Sequence, residues 1–264
     1  MASIADYQNL ILADSPLLYW PLNDGGSTTD DLSGNAYHGT INGGAWLNPP
    51  IATRRGDYAF GYAASTADAV TYTGTLDTLN ATGLSVEFWL RIGTSISGTT
   101  RPYIHGLAGF SEFGFYGTTT STAVVGTHAT SRFTLAANSI VLNTWAHWVY
   151  TQDSAGSSNV YKDGTLLAGP ATHTRPATDM TGLRIDNNSS SARIDYWQHV
   201  AVYDKVLTAT DVSDRYDLAM DQSILIVEDV PALFIREAIV IPPVGGGGSG
   251  PVVDQPHQKW PTGI

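Results

Sequence analysis

The chain has no cysteine, few basic residues and no long apolar run, and each absence removes a class of function. Without cysteine there can be no disulfide, iron–sulfur cluster, thiolate zinc site or cysteine nucleophile. Lys and Arg total 13 against 24 Asp and Glu, a formal net charge of −11. No basic patch is available to displace counterions from phosphates, so nucleic acid is not an expected partner. Charged residues make up 14% of the chain, well under the usual quarter, which argues against helical bundles, coiled coils and disordered chains. No stretch approaches the roughly 18 apolar residues that cross a bilayer, so membrane insertion is not expected. The apolar segment Leu10–Ala13 follows no basic segment and is too short for an export signal. Synthesis in the cytoplasm, without a signal peptide, is the expectation.

What is present is glycine, 27 residues of it, and aromatic side chains at 10% of 264 residues. That mix favours many short strands joined by turns, in a chain long enough to bury a sizeable core. Three parts follow. Residues 1–14 read as a short helix, with Ser3 as cap, Asp6 three residues on, and Ile4, Tyr7, Leu10 and Ile11 on one face. Asp14-Ser15-Pro16 ends it, because the residue before proline disfavours helical geometry. Residues 15–221 are strand-rich. In Ser85–Ile92, Val86, Phe88, Leu90 and Ile92 alternate with Glu87, Trp89 and Arg91, which are expected to face outward. Asp163-Gly164 is a hairpin signal. A helix near 208–219 is capped by Thr208 with Asp211, and Ala209, Val212, Tyr216 and Ala219 share its face. The pattern is that of an all-β sandwich or jelly roll. Residues 222–264 differ: a β-prone, proline-punctuated stretch, a glycine-rich linker at 245–250, and a polar peptide with one aromatic anchor, Trp260. They read as an extended arm in need of a partner, or as a partly disordered tail; a glycine run closed by a serine is also the form artificial linkers take.

Four segments then occur in a telling order. They are Tyr19–Asp24 followed by Asp31–Thr40; Leu84–Leu90; Thr144–Val149 leading into Val160–Leu166; and Arg193–Tyr203 followed by Val206–Val212 and Arg215-Tyr216. Together they resemble a laminin-G-like, concanavalin A-like domain over roughly residues 15–220. The resemblance implies a jelly-roll sandwich of two antiparallel sheets. The opening helix leading into Ala13–Leu22 is similar to modules of bacteriophage tail and other virion proteins.

The same superfold includes glycoside hydrolases, whose chemistry needs two carboxyls flanking the scissile bond. Glu87 and Glu112 are the glutamates of the strand-rich region, and the Glu-x-Asp-x-x-Glu strand of related endoglucanases is absent. Glu87 reads as an outward strand residue paired with Arg91 or a neighbouring strand, and catalysis is not expected. By the resemblance, calcium is the one cofactor to consider, held by Asp31, Asn35 and Asp195, with Asp24 and Asp186-Asn187-Asn188 as further donors. The alternative is that Asp31 and Asn35 make side-chain turns and Asp195 is an ordinary strand residue. The seven histidines form no metal signature: His147 and His199 lie in strands, whereas His38, His105, His128, His173 and His257 fall in expected loops. Sugars stack on aromatic rings, and Tyr103, Phe113 and Tyr116 are the favoured platforms because their segment is loop-rich and polar.

Two functions remain open. In one, the chain is a non-catalytic virion component, a capsid decoration or minor tail protein. It assembles in the host cytoplasm as a homo-oligomer, displays a glycan-binding sandwich, and is anchored to other virion proteins through Ile224, Ile226, Phe234, Ile239 and Trp260 of the arm. In the other it is a free lectin-like module or a glycoside hydrolase on the same fold.

Overall fold

The computed structural model describes residues 4–23, 26–43, 45–47, 59–61, 69–78, 82–93, 103–108, 112–117, 122–127, 132–186 and 195–220. The chain divides into two units, Met1–Ser223 and Ile224–Ile264, and the described residues all belong to the first. Helix α1 (Ile4–Ala13) leads into β1 (Leu18–Trp20), β2 (Thr28–Thr29), β3 (Gly39–Asn42), β4 (Ala45–Leu47), β5 (Ala59–Gly61) and β6 (Ala69–Tyr72). Next come β7 (Gly83–Ile92), β8 (Tyr103–Gly106), β9 (Gly114–Gly117), β10 (Ala123–Gly126) and β11 (Phe133–Thr134). The chain continues through β12 (Trp145–Asp153), β13 (Ser157–Lys162), β14 (Thr165–Thr172), β15 (Leu183–Asp186), β16 (Asp195–Tyr203) and α2 (Ala209–Met220).

These strands make two antiparallel sheets, as the all-β expectation requires. The first runs β14-β13-β12-β7-β16-β5-β4, with β1 also pairing β16; the second runs β11-β10-β9-β8-β15-β6-β3-β2. β16 serves two neighbours on one edge: Tyr196 and Trp197 pair with β5, and Val200 to Val202 pair with β1. A bulge at His199, whose φ is 49°, separates the two stretches.

The core follows from alternation. Val86, Phe88, Leu90 and Ile92 of β7 point inward, beside Ala146, Trp148 and Tyr150 of β12. They meet Ile104, Phe115, Val125, Leu183 and Ile185 of the second sheet. Phe115 bridges the layers, 4.9 Å from Phe88 and 5.1 Å from Trp148 between ring centroids. The Asp163-Gly164 turn joins β13 to β14 with φ of 51° and 77°, the backbone that a two-residue hairpin of this hand requires.

The outer face of the first sheet departs from expectation. Glu87 and Trp89 do alternate away from the core, yet they are 0% and 1% exposed, because a second apolar cluster covers them. Tyr7 and Ile11 of α1, Val212 and Ala219 of α2, and Leu207 pack there against Trp89, Val149 and Tyr203. Period-two patterning tells which face a side chain takes, not whether another element lies over that face. Helix α2 carries the expected reciprocal cap: the Asp211 amide donates to Thr208 Oγ1 at 3.1 Å, and the Thr208 amide donates to Asp211 Oδ2 at 2.7 Å.

Candidate functional site

The residues chosen as calcium ligands do not assemble into one site. Asp31 anchors its own loop. Its Oδ1 accepts from the amides of Tyr19 (2.8 Å) and Ser33 (3.0 Å), and its Oδ2 accepts from Ser33 Oγ (2.7 Å) and the Tyr37 amide (2.9 Å). Those four donors occupy the carboxylate's lone pairs. Asn35 donates its amide to the Leu17 carbonyl at 2.9 Å. Asp31 therefore makes the side-chain turn, whereas Asn35 ties its loop to the residue before β1. Asp195 is buried at the start of β16 opposite Ile92, whereas Tyr19 lies opposite Ala201, which in turn faces Glu87. Five β7 positions between Glu87 and Ile92 amount to about 17 Å of strand, far beyond a shared coordination sphere. Among the described residues no three His, Asp or Glu side chains gather as a metal-holding group. Asp24, Asn187 and Asn188 lie outside the described residues, as do Ile224, Ile226, Phe234, Ile239 and Trp260 of the arm.

The aromatic candidates divide. Phe113 is 0% exposed and packs in the sandwich core, 5.7 Å from the Tyr150 ring. It is a core residue and not a sugar platform; a large ring in a turn-rich segment was filled inward because the sheets close over it. Tyr116 lies on the outer face of the second sheet, half-buried, with the Arg132 guanidinium 5.8 Å from its ring centroid. Tyr103 occupies the register position opposite Tyr116.

Beside Tyr116 the same outer face carries a polar group that sequence reasoning did not assemble. His105 lies in β8, a strand where a loop was expected, opposite Arg184 of β15 on one side and Gly114 of β9 on the other. Arg184 Nε donates to Asp186 Oδ2 at 2.7 Å, and His105 Nε2 is 3.8 Å from the same oxygen. His105 Nδ1 is 2.6 Å from the Gly106 carbonyl. A carbonyl only accepts, so Nδ1 carries the hydrogen, and Nε2 of the neutral ring is an acceptor. The 3.8 Å separation is too long for a direct hydrogen bond, so Nε2 and the carboxylate stand as separate acceptors. Gly114 and Gly126, paired beside His105, are positions without side chains. A ring to stack on beside a guanidinium–carboxylate pair suits a polyhydroxylated ligand. The signal lay in Leu183-Arg184-Ile185-Asp186, whose polar alternate positions declare an outward polar row.

Glu87 forms a different kind of centre. Its Oε1 accepts from His147 Nε2 at 2.9 Å and Tyr7 Oη at 3.2 Å, its Oε2 accepts from Tyr203 Oη at 2.8 Å, and Arg215 Nη1 is 3.5 Å from Oε2. Arg215 also pairs with Asp14, which pairs in turn with Lys205. Burial by itself would raise the Glu87 carboxyl, but the Arg215 charge and the His147 and Tyr203 hydrogen bonds outweigh it and hold the group at about 2. Burial pushes the Tyr7 and Tyr203 hydroxyls well up, and the neighbouring Glu87 charge adds to that. Of the two expected partnerships, the one with a neighbouring strand is present in His147 of β12, while Arg91 is replaced by Arg215, 128 positions along the chain, which no strand-level pattern could reveal. Glu112 is likewise buried, and accepts from the Thr181 amide (2.9 Å), Thr181 Oγ1 (2.6 Å) and the Ala108 amide (3.3 Å).

The Laminin_G_3 family model, described as the concanavalin A-like lectin/glucanases superfamily, matches residues 44–213. The chain belongs to that superfamily. Solved structures of the same fold include the receptor binding domain of botulinum neurotoxin type G, at 18% identity and a TM-score of 0.57, covering 77% of this chain and 51% of that one. The binding domain of botulinum neurotoxin DC, solved in complex with rat synaptotagmin II, matches at 16% identity and a TM-score of 0.60, covering 81% and 54%. A Trypanosoma rangeli sialidase solved with a difluorosialic acid matches at 15% identity and a TM-score of 0.59, covering 78% of this chain and 33% of that one. The chain thus spans about half the length of the toxin domains and a third of the sialidase. Comparison with curated protein sequences finds no match.

Proposed function

We propose that this chain is a non-catalytic component of a bacteriophage particle, a capsid decoration or minor tail protein, whose sandwich binds surface glycans. Residues 222–264 attach it to other virion proteins, and it works as a homo-oligomer assembled in the host cytoplasm. The observation that carries the non-catalytic, glycan-binding part is the fate of the acids on a lectin/glucanase fold. Glu87, on β7, and Glu112, in the turn before β9, are 0% and 1% exposed and bonded within the protein, so neither is presented to a glycosidic bond as hydrolysis requires. The outer face of the second sheet, by contrast, combines Tyr116 with the Arg184–Asp186–His105 group. Solved neighbours of this fold include toxin receptor-binding domains, which supports a binding role. The particle role rests on the resemblance of the N-terminal helix and Ala13–Leu22 to virion modules, and on the glycine-rich and proline-punctuated sequence of residues 222–264.

The test is deletion of residues 222–264 in the context of an assembling particle. The expected result is a folded, soluble sandwich, with unchanged near-ultraviolet dichroism, that is missing from purified particles. Incorporation at the full-length level would exclude the arm as the anchor. A glycan array with the full chain tests the binding half, where Tyr116→Ala is expected to weaken retained glycans by about tenfold.

A further inference from the structure

On the outer face of the first sheet, beyond the two helices, Trp145, Arg91 and Tyr196 stand side by side on β12, β7 and β16, as register partners in that order. The Arg91 guanidinium lies 5.1 Å from the centroid of the Tyr196 ring, and the Trp145 and Tyr196 rings are 6.4 Å apart, at 50° to one another. Arg91 Nε donates to the Asn143 carbonyl at 3.2 Å, and the Asn143 amide donates to the Ile92 carbonyl at 2.6 Å, so the loop before β12 is tied to the end of β7. One edge of the guanidinium is thereby held and one face stacked, while its two terminal nitrogens have no acidic partner among the described residues. In a chain of net charge −11, that is unusual for a cation held in one orientation. Arg184, Lys205 and Arg215 all have carboxylates beside them.

A second observation points to the same place. Trp145 is 8% exposed, and its indole nitrogen is buried without a hydrogen-bond partner among the described residues. A buried N–H left unbonded costs on the order of 1–3 kcal/mol, which a ligand acceptor or a trapped water can recover. Asn143, with a φ of 58°, is exposed at the rim and adds a side-chain amide.

We infer that Trp145, Arg91 and Tyr196, with Asn143 at the rim, form a binding site for the carboxylate-bearing residue of an acidic glycan. The Nη1 and Nη2 donors take the carboxylate as a fork, which fits two parallel charge-assisted hydrogen bonds. The half-buried Tyr196 ring beside the fork offers apolar surface to the sugar ring, and the Asn143 side-chain amide bonds its hydroxyls. A peptide carboxylate would satisfy the fork but not the flanking ring and rim amide, so the sugar is the favoured occupant. The site rests on the glycan-binding reading and deepens it. It lies on the opposite sheet from the Tyr116 face, so the two can be separated by mutation.

The experiment titrates matched pairs of ligands, 3′-sialyllactose against lactose and digalacturonate against digalactose, into the full-length protein. Binding is read by saturation-transfer NMR and tryptophan fluorescence. The site predicts that at least one acidic member binds more tightly than its neutral partner, and that raised salt narrows the difference. Arg91→Ala is expected to reduce acidic-glycan affinity about tenfold or more and to abolish the preference over the neutral partner, and Arg91→Lys to restore only part of it. Unchanged thermal melting of both variants confirms that they fold. Acidic-glycan binding that survives Arg91→Ala, or a preference that moves with Tyr116→Ala instead, overturns this site and leaves the glycan-binding reading standing. Absence of binding to any sugar on the array overturns both. Capture of an acidic peptide such as tetraglutamate by the wild type but not by Arg91→Ala, with no sugar bound, replaces the sugar with a protein partner.

Discussion

At the scale of single residues, Glu87 does more than its strand position suggests. A carboxylate sealed from water survives only with compensating charge and hydrogen bonds, and four side chains from four elements supply them here. Its carboxyl sits at about 2, below the ordinary 4.5. A depressed carboxyl contributes stability in full above its unfolded value, and loses that contribution as pH falls from about 4.5 toward 2. The size is on the order of 3 kcal/mol. Glu87→Gln is therefore expected to destabilise the protein by about 3–5 kcal/mol at neutral pH, since Arg215 is left buried with its main counter-charge removed. Chemical denaturation at pH 7 and pH 3 checks this: the variant's penalty shrinks at the lower pH, because the wild type loses part of the same interaction there. An equal penalty at both pH values would place the effect in packing instead.

At the scale of elements, the two helices act as covers for one face of the first sheet. α1 contributes Tyr7 and Ile11 to the outer cluster, and Tyr7 Oη both donates to Glu87 and accepts from Trp89 Nε1 at 2.8 Å. Asp14, just past the end of α1, reaches Arg215 of α2. Each helix thus touches the same buried acid, directly or through one partner. Removing residues 1–14 is expected to strip Trp89 of its cover and its acceptor, lowering the thermal midpoint by several degrees and red-shifting tryptophan emission. Tyr7→Phe, which keeps the ring and deletes the hydroxyl, should recover most of the packing and cost about 1–2 kcal/mol. A truncated chain that melts with the full-length protein would show that α1 is dispensable to the sandwich.

At the scale of the whole molecule, the glutamates among the described residues, Glu87 and Glu112, are buried in hydrogen-bonded structural roles, while arginine–aromatic pairs stand on the outer faces of both sheets. The expected behaviour is binding without turnover. Prolonged incubation with xyloglucan, laminarin, pectin and sialylated glycoprotein should release no reducing ends or free sialic acid, even where the array shows retention. Release that disappears in Glu112→Gln would identify a catalytic acid.

How much of this was legible beforehand depends on the range of the interaction. The alternation of Ser85–Ile92, the Asp163-Gly164 turn, the Thr208/Asp211 cap and the ordered run of four family segments are short-range patterns, and they determined the all-β sandwich, its hairpin and its last helix. The same patterning assigned Glu87 to the outer face, and Phe113 to a segment that read as a loop. Only the tertiary structure decided that the first is sealed beneath two helices against Arg215, and that the second fills the core. It also decided that Arg91, freed from Glu87, stacks on Tyr196 a hundred residues away. A strand's period specifies the direction of a side chain; what that side chain meets depends on which elements the chain brings back over it, and that is settled by packing across the whole fold.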